Sequence, residues 1–145
     1  MVDLGFLLIT FFVFTTQLSQ PTVMNLNMPY DKVAPDDPVC ESCVLTVMLK
    51  ENNIIQYHEG MGDLNTSVGT TNFSSNGIRK IILQKRELVR KVKSSADKFV
   101  LIIKASDKST FQNFVDIVDE VTINNVKRYY LAEITDMDKI LFHLK

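Results

Sequence analysis

The first eighteen residues of this 145-residue chain form a mostly apolar run with a carboxylate near its start. Asp3 is the one charged residue between Val2 and Leu18. The run is as apolar as a membrane helix, in which a carboxylate at bilayer depth costs roughly 2.5–3.5 kcal/mol on insertion scales. Charged residues of membrane helices are therefore rare, and they usually pair with a partner or transfer a proton. We predict a transmembrane helix over residues 1–18 that uses Asp3 in one of these ways.

The predicted span is short, and no flanking charge fixes its orientation. Residues 2–18 number slightly fewer than the roughly 20 that cross a typical bilayer. No basic residue precedes them, so the positive-inside rule gives no direction. We therefore expect that the helix is truncated at its start and that Met1 is an internal methionine. A secretory signal peptide is the alternative, but it requires a basic segment before the run and a small-residue cleavage site, and the sequence has neither.

Three polar residues of the predicted helix share one face. Asp3, Thr10 and Gln17 are seven positions apart, and positions seven apart nearly coincide around a helix. Because lipid cannot satisfy polar groups, they face a partner protein or a water-filled cavity. This predicts a protein-facing stripe with Asp3 at one end. The alternatives are that Thr10 bonds back to its own helix, that Gln17 lies at the membrane interface, and that Asp3 is an interface charge.

A proline-punctuated segment separates the apolar run from the rest of the chain. Residues 19–42 contain Pro21, Pro29, Pro35 and Pro38, a density typical of an extended linker. We predict a linker over residues 19–42 and a folded domain over residues 43–145.

The first half of this domain has strand and helix patterns in alternation. Two short apolar runs, Val44–Leu49 and Ile54–Tyr57, flank an Asn-rich turn and predict a β-hairpin. Residues 62–76 are rich in Gly, Ser, Thr and Asn and predict a loop. Apolar residues recur at helical spacing over residues 77–93. The uninterrupted apolar run Phe99–Ile103 predicts a buried central strand.

The second half adds one more helix and one more strand. Ser109 and Gln112 form a capping-box pattern, which starts a helix that ends at Asn124. Tyr129–Ile134 is the last predicted strand. The predicted order is β-β-α-β-α-β, an α+β domain with two helices on one face of a small sheet.

Two cysteines, Cys40 and Cys43, form a Cys-x-x-Cys pattern. A thioredoxin-like site places this pattern at a helix N-terminus after a strand, whereas here it follows Pro38 and precedes a strand. A structural zinc requires four ligands, and His58 and His143 lack ligand spacing. We therefore predict an incidental disulfide or two linker thiols, and no metal site.

Composition argues against several other functions. The net charge is −1 and there is no Trp, so the basic, aromatic footprint of a nucleic-acid-binding protein is missing. The sequence has no Gly-rich phosphate loop, nucleophile elbow or metal-ligand cluster, so we predict no enzyme activity, cofactor or small-molecule substrate. The first domain helix is basic, but its apolar stripe favours a solvated face over lipid binding.

Three segments carry a family resemblance. Residues 1–12, MVDLGFLLITFF, resemble a membrane-helix signature with one acidic residue. Residues 23–29, VMNLNMP, resemble the extended stretch that follows it, and residues 114–129 are similar to a closing helix–strand unit. Together they resemble the ExbD/TolR family of biopolymer transport proteins, most closely the ExbD members of Bacteroidetes-type bacteria.

This resemblance implies a single-pass protein of the bacterial inner membrane with its C-terminal domain in the periplasm. It implies a homodimer inside a ring of a multi-span ExbB-like partner, in which proton flow drives a TonB-like transducer to power nutrient uptake across the outer membrane. Asp3 aligns with the aspartate that gains and loses the proton. The linker residues that would engage TonB are Val23, Asn25, Leu26, Met28 and Pro29.

Three other readings stay open at this stage. One is a TolR-like role in outer-membrane maintenance. Another is a membrane-anchored binding module without proton chemistry, whose sheet edge pairs with a partner strand. The third is a thiol protein that uses Cys40 and Cys43. The Cys-x-x-Cys pattern departs from the family, and in the oxidising periplasm it could close a local disulfide.

Overall fold

The computed structural model describes residues 1–18, 40–63 and 65–144. Residues 40–63 and 65–144 form a mixed sheet with helices on both of its faces, and the predicted α+β class is confirmed. The helices are α1 (Val2–Leu18), α2 (Ile78–Lys93), α3 (Phe111–Ile123) and α4 (Asp136–Leu141). The strands are β1 (Val44–Leu49), β2 (Ile54–Glu59), β3 (Gly69–Asn72), β4 (Val100–Ala105) and β5 (Arg128–Leu131).

Strand β1 lies at the centre of the five-stranded sheet, whose order is β3-β2-β1-β4-β5. It pairs antiparallel with β2 and parallel with β4, and it aligns Leu45 with Leu101 and Val47 with Ile103. All six of its residues are buried. A strand that is buried along its whole length has both faces covered, so a layer of protein packs on each side of β1.

Helices α2 and α3 form the layer on one face. Their buried apolar residues include Ile78, Ile82 and Val89 of α2 and Ile117 and Val121 of α3. These side chains join the odd-numbered residues of β1 in one hydrophobic core. Each fully buried aliphatic side chain of this kind stabilises the fold by roughly 1.5–3 kcal/mol.

The chain around α4 covers the opposite face. His58 pairs with Thr46 across β1 and β2, and paired residues of neighbouring strands lie on the same face. Phe142, directly after α4, is fully buried with its ring centroid 5.4 Å from that of His58. The ammonium of Lys50 donates to the Phe142 carbonyl oxygen at 2.7 Å. The sheet therefore has a second packed layer.

Strand β3 was not predicted, because residues 62–76 were expected to be a loop. The sequence Gly69–Asn72 has no apolar alternation, yet its backbone pairs antiparallel with β2. Gly69 lies under the ring of Tyr57, where a Cβ would fall 2.4 Å from the Tyr57 Cζ atom. Backbone pairing and this close ring contact form the strand without any apolar pattern of its own.

Helix α4 was also missing from the predicted β-β-α-β-α-β order, and the last strand ends at Leu131 rather than at Ile134. The helix is short, but Thr135 and Asp138 form a full capping box at its start. The side chain of each accepts a hydrogen bond from the backbone N–H of the other. The cap defines this helix, because six residues are too few for a clear apolar period.

The predicted cap of α3 was wrong by one residue. Thr110, not Ser109, is the N-cap, and its hydroxyl accepts from the Asn113 N–H at 3.3 Å. Ser109 instead donates to the Ser106 carbonyl oxygen at 2.7 Å. Adjacent hydroxyl residues offer two alternative caps, and the turn at Ser106 decides between them.

We expect Phe142→Ala to lower the free energy of unfolding by about 3–5 kcal/mol, the usual cost of removing a buried phenylalanine ring. Urea unfolding of the full chain in detergent, followed by circular dichroism, measures this. The matched control is Phe111→Ala, because Phe111 is 78% exposed, and we expect it to change stability by less than about 0.5 kcal/mol. Equal losses for the two variants would show that the second layer is not packed.

Candidate functional site

Helix α1 exposes apolar side chains around its whole circumference. Each of them is more than half exposed. They include Leu4, Phe6, Leu7, Leu8, Ile9, Phe11, Phe12, Val13 and Phe14. A helix that is apolar on every side is typical of an apolar environment rather than of a water-facing surface.

Within the described ranges, none of the helices combines the length and the apolar character needed to cross a membrane.

Asp3 lies in the first turn of α1, and its side chain is exposed. A carboxylate at this position interacts favourably with the positive end of the helix dipole. It is the one acidic group in an otherwise uncharged helix. The structure therefore places Asp3, the predicted proton-carrying residue, within one turn of the N-terminus of the apolar helix α1.

Thr10 lies on the same side of α1 as Asp3, but its hydroxyl donor is used inside the helix. The Thr10 hydroxyl is 3.0 Å from the Phe6 carbonyl oxygen and 2.9 Å from that of Leu7. Its oxygen keeps acceptor capacity, so Thr10 offers a partner an acceptor rather than a free donor. Gln17 lies in the last turn of the helix.

The five linker residues predicted to engage a TonB-like partner lie outside the described residues. They are Val23, Asn25, Leu26, Met28 and Pro29.

Three of the seven basic side chains of α2 bond to other parts of the domain. Arg79 forms a bidentate ion pair with Glu120, with nitrogen–oxygen distances of 2.8 and 2.6 Å. These hydrogen bonds raise the pKa of Arg79. Lys85 is buried and pairs with Glu59, and Arg86 donates to the Asn124 carbonyl oxygen at 2.7 Å. This helix stabilises the fold and leaves fewer free cations than its sequence suggests.

An ion pair between half-buried Lys104 and buried Asp138 fastens α4 to the sheet. The Lys104 ammonium, on β4, donates to the Asp138 carboxylate, which also accepts from the Thr135 N–H at 2.7 Å and the Thr135 hydroxyl at 2.6 Å. Burial raises the pKa of Asp138, but the hydrogen bonds from Lys104 and Thr135 outweigh that effect and hold its pKa below the usual range. The carboxylate is therefore charged at neutral pH.

His58, a residue of β2, lies beside this pair. Its side chain is buried against the ring of Phe142. Burial lowers the pKa of His58 below its ordinary value, although the Glu59 carbonyl oxygen and the Asp138 charge oppose the shift. Its Nε2 atom has no hydrogen-bond partner among the described residues. In residues 1–18, 40–63 and 65–144, no group of three or more His, Cys, Asp or Glu side chains is placed to hold a metal ion. His58 is a neutral core histidine in this arrangement.

The group formed by His58, Lys104 and Asp138 has no signature of its own in the sequence. The ion pair joins residues 34 positions apart, which no local pattern reveals. The Thr135-x-x-Asp138 spacing was the available signal, because it is typical of a helix N-terminus.

The structure places Cys40 and Cys43 at the two ends of one short 3₁₀ turn, Glu41–Cys43, that leads directly into β1. Both thiols are free. Cys43 is buried in the core and Cys40 packs against it, so the pair belongs to the folded domain.

The comparison with protein families decides the classification. The model described as biopolymer transport protein ExbD/TolR matches residues 1–134. This chain belongs to the ExbD/TolR family. The match includes Asp3 and every strand of the sheet, and it ends before α4. A comparison with curated proteins and one with solved structures each find no match. Membership of this family confirms the resemblance to ExbD/TolR proteins and indicates a role in biopolymer transport. Proteins of this family are membrane-associated and work with membrane partners.

We expect Asp138→Asn to lower the free energy of unfolding at pH 7 by about 3 kcal/mol, because it leaves Lys104 without its buried counter-charge. Since the folded-state pKa of Asp138 is depressed, its charge stabilises the wild-type fold at pH values above the unfolded-state pKa of about 4. This stabilisation disappears as the pH falls through the folded-state pKa. Urea unfolding at pH 7 and at pH values below 4 should show the gap between wild type and variant closing.

The control is Asp136→Asn, in the same helix. Asp136 contacts Lys139 at the surface, with 94% of its side chain exposed, and we expect no measurable change in stability at either pH because solvent screens such a pair. A pH-independent gap for Asp138→Asn would contradict the role of its charge.

Proposed function

We propose that this member of the ExbD/TolR family is a non-enzymatic subunit of an inner-membrane complex that couples the proton-motive force to nutrient uptake across the outer membrane. The observation that carries the proposal is Asp3, the one acidic group of a helix that is apolar on all sides. In this proposal α1 lies in the membrane as a single pass, and the domain of residues 40–144 lies in the periplasm.

The apolar side chains of α1 support a membrane location with a protein partner. Lipid would cover the exposed Leu, Ile and Phe side chains on most sides. The face that carries Asp3 and Thr10 would lie against a multi-span ExbB-like protein, because lipid offers no partner to a carboxylate. A homodimer would bring two copies of Asp3 into one such ring.

Proton transfer gives Asp3 a physical role. Removal from water favours the neutral form of a carboxyl group, and access to water or to a cation restores the charged form. One elementary charge that crosses the membrane potential is worth about 2.3 kcal/mol per 100 mV. That energy is enough to bias a helix between two discrete positions inside a partner ring.

In this proposal the linker transmits a pulling force to the domain. The linker would join at the Cys40–Cys43 turn, which continues into β1 without a break. β1 is held on one side by β2 and on the other by β4. Tension that enters at its start acts on the most firmly paired strand of the sheet, so the domain would move as a unit and transmit force to a TonB-like protein.

Two further candidate functions draw on specific observations. The family model covers TolR as well as ExbD, so a TolR-like role in outer-membrane maintenance would use the same proton chemistry. An anchored binding module would use an edge of the sheet, β3 or β5, since an outer strand can accept an added strand from a partner.

We expect Asp3→Asn to reduce proton-motive-force-dependent uptake through a TonB-type receptor to background, because the amide keeps the size of the side chain and cannot carry a proton. The assay uses cells that lack the native copy, with protein level and membrane insertion checked by immunoblot.

Two matched variants accompany it. Asp3→Glu keeps a titratable carboxyl group and should retain measurable uptake. Thr10→Val removes a hydroxyl that already donates within the helix and should retain most of it. Undiminished uptake by Asp3→Asn without leakage of periplasmic proteins would make Asp3 an interface charge and favour the binding module. Undiminished uptake by Asp3→Asn together with leakage of periplasmic proteins would favour the TolR-like role.

A further inference from the structure

Cys40 and Cys43 lie at the two ends of a single turn of backbone. The Cys43 N–H donates to the Cys40 carbonyl oxygen at 2.8 Å, and Cys40 caps the turn in an extended conformation. The Cys40 sulfur lies 3.0 Å from the Ser42 hydroxyl oxygen, and Cys40 packs against the core cluster that contains Cys43. A disulfide between the two cysteines would therefore close within this turn, before the paired residues of β1 begin at Val44.

The two thiols have different environments. Cys40 is half-buried, whereas only 1% of Cys43 is exposed. Hydrogen bonds from Cys43 and Ser42, with help from the positive charge of Lys93 on α2, lower the pKa of Cys40 to about 7. Burial raises the pKa of Cys43. An accessible thiolate beside a buried thiol is the arrangement of a nucleophilic and a resolving cysteine.

We propose that Cys40 and Cys43 form a reversible dithiol–disulfide site that exchanges with the disulfide of a thiol oxidoreductase or of a small thiol such as glutathione. The Cys40 thiolate attacks one sulfur of the incoming disulfide, the disulfide bond breaks, and its other sulfur leaves as a thiolate that takes up a proton. The Cys43 thiol then loses its proton and attacks the Cys40 sulfur, which releases the second half of the oxidant as a thiol. Two electrons pass from the cysteine pair to the oxidant, and reduction reverses the steps.

Oxidation would change how the linker is anchored. In the dithiol form, tension entering at Cys40 reaches β1 through the backbone of Glu41 and Ser42, and two backbone hydrogen bonds, from Cys43 to Cys40 and from Val44 to Glu41, hold the turn closed. In the disulfide form, the sulfur–sulfur bond carries the same tension directly to Cys43, at the start of the central strand. This mechanical consequence rests on the proposed function; the exchange chemistry does not.

The first test uses the purified full chain in detergent. The chain is equilibrated with mixtures of reduced and oxidised glutathione, and the exchange is quenched with acid. The remaining free thiols are alkylated, and the mass of the chain is measured by mass spectrometry. We expect one transition from dithiol to intramolecular disulfide, without a lasting glutathione adduct. A wild-type product that keeps glutathione, or that links two chains, would overturn the proposal.

Single variants assign the two roles. Cys43→Ser should trap glutathione on Cys40, and Cys40→Ser should react more than tenfold more slowly than Cys43→Ser, because the remaining thiol is buried and protonated. Equal rates for the two variants would overturn the assignment.

A second measurement on the wild-type chain does not depend on how these variants fold. Alkylation of Cys40, located by peptide mapping, should follow a thiolate titration with a midpoint near pH 7. Disulfide exchange at pH 7 should be roughly threefold faster than for an ordinary exposed thiol, since the larger thiolate fraction outweighs its lower nucleophilicity. Ser42→Ala keeps both cysteines and should move the midpoint upward. A midpoint above pH 8 in the wild type would overturn the proposal. None of these readouts uses nutrient uptake, so their failure is separate from a failure of the proposed function.

Discussion

The burial of β1 on both faces is the constraint on which the rest of this domain depends. Its alternate residues belong to two different layers, one with α2 and α3 and one with the chain around α4. One of its edges pairs with β2 and the other pairs with β4. Burial of six consecutive residues leaves one register for the sheet, because a shift by one residue would exchange the two sets of side chains. The segment that precedes β1 therefore enters the domain at its most constrained strand.

The two layers are held in different ways. The layer of α2 and α3 is a conventional apolar core, with the Arg79–Glu120 pair at its margin. The layer of α4 combines the aromatic side chain of Phe142 with the Lys104–Asp138 pair, whose carboxylate is buried. Breaking such a pair costs more than its net contribution, because one charge is left behind. The family match ends before this helix, so α4 adds a polar fastening to a sheet whose strands all lie within the matched region.

The parts that the sequence predicted are those with a local apolar signal. The central strands were predicted from two apolar runs, Val44–Leu49 and Phe99–Ile103. Helices α2 and α3 were predicted from apolar residues at helical spacing. Strand β3 has no such signal, because its stability comes from backbone pairing and a tyrosine ring over Gly69. Asp3 could be predicted as a functional residue from the sequence, because a charge in an apolar run is rare. The Lys104–Asp138 pair could not be predicted, because the two residues come into contact only after the sheet and α4 have formed.

Proton flux measured in liposomes is the most direct test that Asp3 carries a proton. The full chain would be reconstituted with its ExbB-like partner, and flux would be driven by an imposed membrane potential and read with a dye inside the vesicles. We predict potential-driven flux for the wild-type complex and none above empty liposomes for Asp3→Asn in an equally assembled complex. Equal flux from the two complexes would contradict a proton-carrying role for Asp3 and leave α1 as an anchor.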